Sequence, residues 1–192
     1  GAGTVTPTDL SCVCTTQIIN MSNLFKDKQS FNDDISNWDV SKVTDMSYMF
    51  KNAQTFNQDI SSWDVSDVET MYEMFYNANS FNQPIASLPN RWNVSNVKNF
   101  YRFLRDANSF NHPVDWGGVD GTRSAESMRG MFRSSSLNSP ITLFTDRVEN
   151  MQSMFEGASV FNSPLNFSNT SSVRRMSWMF KNAVKFNQPL NF

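Results

Sequence analysis

Any chemistry in this chain must be built from few reactive side chains. His112 is the one histidine in 192 residues, and a lone imidazole supports neither most nucleophilic triads nor a His-based metal site. Asp33, Gln58 and Gln83 hold the equivalent place in parallel stretches, so His112 reads as an exposed rung rather than a base. Carboxylates do come in pairs, Asp33 beside Asp34 and Asp39 matched by Asp64. Such pairs can hold calcium or act on glycosidic bonds. No glycine-rich calcium loop accompanies them and later stretches do not repeat them, which favours a solvated acidic row. Gly117 and Gly118 lack the lysine and the following helix signal of a phosphate loop. The inventory predicts no enzyme, no catalytic residue, no metal site and no cofactor.

Two kinds of covalent chemistry remain. Cys12 and Cys14 are the only cysteines and stand two residues apart, hence on one face of an extended segment. A direct bridge across one residue is strained. That leaves a free or locally joined pair, or an intermolecular link to another chain or to a preceding segment; a zinc site would need further ligands nearby. Sequons mark Asn20, Asn93, Asn166 and Asn169 for N-glycosylation on a eukaryotic secretory route, with Asn93 and Asn169 in the same position relative to their neighbours.

Sixteen basic against eighteen acidic side chains give a formal charge of -2, which provides no footprint for nucleic acid or an anionic membrane surface. No apolar run is long enough to span a bilayer, and "GAGTVTPTDL" lacks the blocks of a signal peptide. A soluble chain without membrane insertion is predicted, secreted or at the cell surface if a signal has already been removed.

The dominant feature is repetition. "LFKDKQSFNDDISNWDVSKV" from residue 24, "MFKNAQTFNQDISSWDVSDV" from 49 and "MFYNANSFNQPIASLPNRWNVSNV" from 74 are versions of one sentence. Coils start at Met21, Met46, Met71, Phe100, Met128, Met151 and Met176. Apolar columns recur: Leu24, Met49, Met74, Phe103, Met131, Met154 and Met179; Phe25, Phe50, Phe75, Leu104, Phe132, Phe155 and Phe180; Ile35, Ile60, Ile85, Val114, Ile141, Leu165 and Leu190. Columns that stay apolar while neighbours vary are what a stacked core requires. Phe31, Phe56, Phe81, Phe110, Phe161 and Phe186, with Leu137 once in their place, form an aromatic row. Beside it runs an asparagine row, Asn32, Asn57, Asn82, Asn111, Asn138, Asn162 and Asn187, whose amides are predicted to satisfy backbone groups at corners rather than to bind a ligand.

Within a coil, "FNQDISSW" reads as a short strand with Ile60 inward and Ser61 outward. Met71, Met74, Phe75 and Ala78 have the spacing of one or two helical turns. The predicted class is an α/β repeat solenoid, a leucine-rich-repeat-like parallel stack of about seven coils 23 to 29 residues long. Residues 1–20 form an opening half coil and 21–192 one continuous domain.

"WDVSKVTDMSYMFKNAQTFNQDISSWDVSDVETMYEMFYNANSFNQPI" resembles the repeat of the BspA-like leucine-rich-repeat surface proteins, the mycoplasma-type lipoprotein repeat. The resemblance implies a right-handed solenoid on a secreted or surface protein serving adhesion or interaction, with no catalytic residues to carry over. Trp38, Trp63 and Trp92 lack later counterparts, and "HPVDWGGVDGTRSAES" replaces "WDVS", which puts regular pairing over residues 115–124 in doubt.

Both ends fall halfway through a coil. The expected function is an extracellular structural protein assembling head to tail with itself into a filament or scaffold. The alternative is a fragment of a cell-surface adhesin that binds another surface protein or a glycan through the solenoid wall. Tyr48, Tyr72, Tyr76, Tyr101 and Trp178, on or near the expected helical wall, are the aromatics that would face such a ligand.

Overall fold

The structure is a computed structural model that describes residue 10 and residues 13–87, 91–117 and 121–190. Its regular elements are three short strands in one parallel sheet, in chain order: β1 (Val114–Asp115), β2 (Ile141–Leu143) and β3 (Leu165–Phe167). The register sets Val114 against Ile141 and Ile141 against Leu165, so three members of one apolar column lie side by side, all buried. Elsewhere parallel pairing is confined to single bridges, running from Asn20 to Asp45, Thr70, Asn99, Ser127, Asn150 and Arg175 in turn.

No α-helix occurs among the described residues. The segment read as helical instead alternates two kinds of backbone hydrogen bond. Met46, Tyr48, Phe50 and Asn52 donate outward to Thr70, Tyr72, Met74 and Tyr76 at 2.8–3.1 Å, while Met49, Lys51 and Ala53 donate back three residues at 3.0–3.2 Å. Among the described residues, twelve other than glycine have positive φ, Tyr48 at 61° and Asn52 at 60° among them. A left-handed residue every fourth position cannot belong to a right-handed helix. Consecutive three-residue turns broken by left-handed residues place side chains at spacings of three and four, the pattern that mimics a helix.

The strand expectation is corrected at the same time. In the early copies Trp38 N–H and Trp63 N–H close turns onto Ile35 O and Ile60 O, both at 3.1 Å, so "DISNW" and "DISSW" bend where extension was expected. Ser61, expected outward, is buried. Extended pairing appears instead in β1 to β3, and β1 enters the stretch where pairing was in doubt only at Asp115. The α/β leucine-rich-repeat-like solenoid is therefore not the architecture found: its helical wall is missing and its strands shrink to two or three residues. Without a solenoid of regular coils, both functions that relied on one, end-to-end assembly and adhesion through a solenoid wall, lose their structural basis.

What holds the chain together is its aromatic core. Phe25, Phe50 and Phe75 stack at 5.6 and 5.4 Å, and Phe31, Phe56, Phe81 and Phe110 at 5.7, 5.9 and 6.2 Å. The two rows meet at 3.8–4.0 Å, in near-parallel geometries that supply stacking beyond simple burial. Leu104 and Leu137 interrupt the rows, and stacking resumes with Phe132, Phe155 and Phe180. Three indoles lock successive copies: Trp38, Trp63 and Trp92 donate Nε1–H to Leu10 O, Ile35 O and Ile60 O at 2.9, 3.2 and 3.0 Å.

Candidate functional site

The left-handed positions carry the chemistry. Tyr48 sits on one, and Tyr72 and Tyr101 precede the left-handed Glu73 and Arg102. The three rings form a row, Tyr48 to Tyr72 at 5.0 Å and tilted, Tyr72 to Tyr101 at 4.6 Å and stacked. Cations cover the row. Lys26 and Lys51 lie 5.5 and 5.3 Å from the Tyr48 centroid, and Arg102 and Arg129 lie 4.6 and 5.5 Å from that of Tyr101. Tyr76 joins through Lys51 at 4.9 Å and Arg105 at 5.0 Å. These are cation–π distances.

Glu73 organises the middle. Its side chain is 5 % exposed and accepts from Lys51 at 2.6 Å and from Arg102 at 3.2 Å. Arg105 pairs with Asp106 at 3.1 Å. The strip thus sets five cations against two carboxylates in a chain whose formal charge is -2. Lys26 and Arg129, at its two ends, form no ion pair among the described residues. Burial, assisted by the neighbouring Glu73 charge, pushes the Tyr72 hydroxyl up to about 12, so it stays protonated and can donate.

Of the aromatics singled out in the sequence, Tyr48, Tyr72, Tyr76 and Tyr101 come together, whereas Trp178 stands apart, 59 % exposed with Lys181 4.9 Å from its ring. The cations are the part that sequence reasoning missed. The signal for Lys26, Lys51 and Arg105 is a column, Lys26, Lys51, Tyr76, Arg105, Arg133, Glu156 and Lys181, basic in five of seven copies, and Arg102 and Arg129 lie outside it.

The remaining candidates are local. Asp34, Asp39 and Asp64 accept the N–H of Ser36, Ser41 and Ser66. The Ser36 backbone bond holds Asp34 below the usual carboxylate range, and the Ser41 hydroxyl does the same for Asp39. Asp33 is exposed. His112 Nε2 lies 3.1 Å from Asn82 O, the place taken by the Gln83 and Gln58 amides one and two copies earlier. Along the asparagine row each Oδ1 accepts the backbone N–H of the next member, from Asn32–Asn57 to Asn162–Asn187, at 2.7–3.0 Å. Asn20, Asn93 and Asn169 are exposed and accept the N–H of Ser22, Ser95 and Ser171; Asn166 is exposed in β3 opposite Thr142. Cys14 is an exposed free thiol with Sγ 3.5 Å from Thr16 Oγ1, and Cys12 lies outside the described residues.

Among known families, one described as "Mycoplasma protein of unknown function, DUF285" matches residues 2–117 and 119–192. The chain belongs to the DUF285 family. That match replaces the BspA-like leucine-rich-repeat resemblance, and the terms leucine-rich repeat and solenoid go with it. No curated protein and no solved structure matches the DUF285 chain. Its functional interpretation accordingly rests on the tyrosine–cation strip.

Proposed function

We propose that this DUF285 chain is a non-catalytic binding protein whose tyrosine–cation strip receives an acidic polypeptide segment. The supporting observation is how the ring faces are used. Tyr48, Tyr72 and Tyr101 pack on one another and under Lys26, Lys51, Arg102 and Arg129, so their faces are already taken. Neutral sugars and nucleic-acid bases bind aromatic residues through those faces. What the strip offers outward is ammonium, guanidinium and hydroxyl donors, the complement of carboxylates. Lys26 and Arg129 at its ends and the half-paired Lys51 and Arg102 between them suit a chain of carboxylates better than a single anion.

Fluorescence anisotropy with a labelled oligoglutamate tests this. Binding is expected at low salt, falling as salt rises, and a double reversal, Lys26→Glu with Arg129→Glu, should weaken it roughly tenfold, since each exposed pair contributes on the order of 0.2–1 kcal/mol and reversal adds repulsion. Equal binding of oligolysine, or an unchanged affinity in the double variant, would sink the assignment.

A further inference from the structure

A second site stands apart from the strip, where the inserted segment replaces the usual tryptophan turn. A cavity of about 450 Å³ opens there, lined by Arg91, Trp92, Asn93, Ser95, Trp116, Gly117, Gly121 and Arg123. Both arginines are exposed, and neither forms an ion pair among the described residues. None of the lining residues among those described is acidic. The nearby Asp115 carboxylate accepts the Gly117 N–H at 3.0 Å.

The wall of this cavity holds a polar group without a partner. Trp116 is 4 % exposed, and its Nε1–H is buried with no hydrogen-bond acceptor among the described residues. Trp38, Trp63 and Trp92 each reach a carbonyl of the preceding copy; Trp116 instead stacks on Phe100 at 5.3 Å and meets Phe103 edge-on at 6.1 Å. A buried donor left unpaired is costly and rare in native proteins. The adjoining glycines keep the wall thin. A Cβ on Gly117, at φ 112°, would come within 3.2 Å of Arg91 Nη2, and one on Gly121 within 2.5 Å of Trp116 O. Backbone thus lies directly against the Trp116 main chain and the Arg91 guanidinium.

We infer that this cavity binds the oxyanion group of a small ligand, clamped between Arg91 and Arg123 with one oxygen accepting the Trp116 indole N–H. Two guanidiniums supply charge-assisted bonds suited to phosphate, sulfate or carboxylate, and the indole N–H gains the acceptor it lacks. No covalent step is involved.

The test is titration of the full chain with inorganic phosphate, sulfate and acetate in separate arms, followed through the indole N–H resonances by NMR. Trp116→Phe assigns the Trp116 signal. The expected result is a saturable shift of that signal in at least one arm, with the Trp38 and Trp63 signals unmoved, and the responding arm names the oxyanion. Arg91→Ala and Arg123→Ala, both at exposed positions, should each weaken the response roughly tenfold, as loss of a charge-assisted bond does. No saturable shift in any arm, or an undiminished shift in the double arginine variant, would overturn the site.

Discussion

Trp92 and Trp116 offer a matched pair for measuring what one indole N–H contributes. Both are buried, at 1 % and 4 % exposure, and both stack on phenylalanine, Trp92 at 6.4 Å from Phe75 and Trp116 at 5.3 Å from Phe100. Replacing either with phenylalanine removes the same atoms and leaves a comparable void. The difference is polar. Trp92→Phe deletes the 3.0 Å bond to Ile60 O, leaving that carbonyl with the Trp63 N–H alone, a loss of about 0.5–1.5 kcal/mol. Trp116→Phe deletes a donor that has no acceptor and so recovers a desolvation penalty of about 1–3 kcal/mol. Adding the two effects places the variants roughly 1.5–4.5 kcal/mol apart, with Trp92→Phe the less stable. Urea unfolding in phosphate-free buffer, read by the fluorescence of the remaining tryptophans, measures both midpoints at a common slope. Equal losses in the two variants would refute the reasoning, because they would show that the Trp116 N–H is satisfied in solution without ligand.

Two further outcomes follow from the geometry. Asn82→Ala should speed hydrogen exchange at the Asn111 amide, whose 3.0 Å acceptor is Asn82 Oδ1, while Asn82→Asp, which keeps an oxygen there, should leave it slow; equal exchange in both variants would show that the row does not protect the backbone. Alkaline titration of tyrosinate absorbance should show one of the four tyrosines ionising near 12, a step removed by Tyr72→Phe. Because the folded value lies above the ordinary 10.0, the folded state holds the proton longer. The contribution of Tyr72 is thus fully present below about pH 10 and is lost as pH rises toward 12, so wild type should lose more stability than Tyr72→Phe across that window.

The apolar columns could be read from the sequence because burial is enforced in most copies: Met49, Met74, Met131 and Met154 are all fully buried, although Leu24 and Leu190 are exposed. Their backbone could not. Met71, Met74, Phe75 and Ala78 fit a helical period, yet the positive φ of Glu73 and Asn77 is a local choice that periodicity does not encode, and asparagine's tolerance of it was the only hint. The strands were misplaced for a related reason, since "DISSW" alternates like a strand but closes a turn onto Ile60 O. At the strip the tyrosines were legible as repeated aromatics. Their cations were not, because Lys51 reaches Tyr76 from the preceding copy and Arg129 reaches Tyr101 from the following one. Trp116 was set apart from Trp38, Trp63 and Trp92 by the segment that replaces "WDVS", but nothing there signalled an indole N–H without an acceptor.

The first left-handed position of each copy deserves comparison with its neighbour. Asn23, Tyr48, Glu73, Arg102, Gly130, Ser153 and Trp178 share a φ of 50–62°, yet they are amide, phenol, acid, base, hydrogen, hydroxyl and indole. The next residue is Leu24, Met49, Met74, Phe103, Met131, Met154 or Met179, nearly constant in character. The apolar column is held constant while the column beside it keeps one backbone shape and varies widely in chemistry. A chain built this way can change the side chains of that column copy by copy, buried Glu73 and Ser153 included, while the apolar column beside it stays as it is.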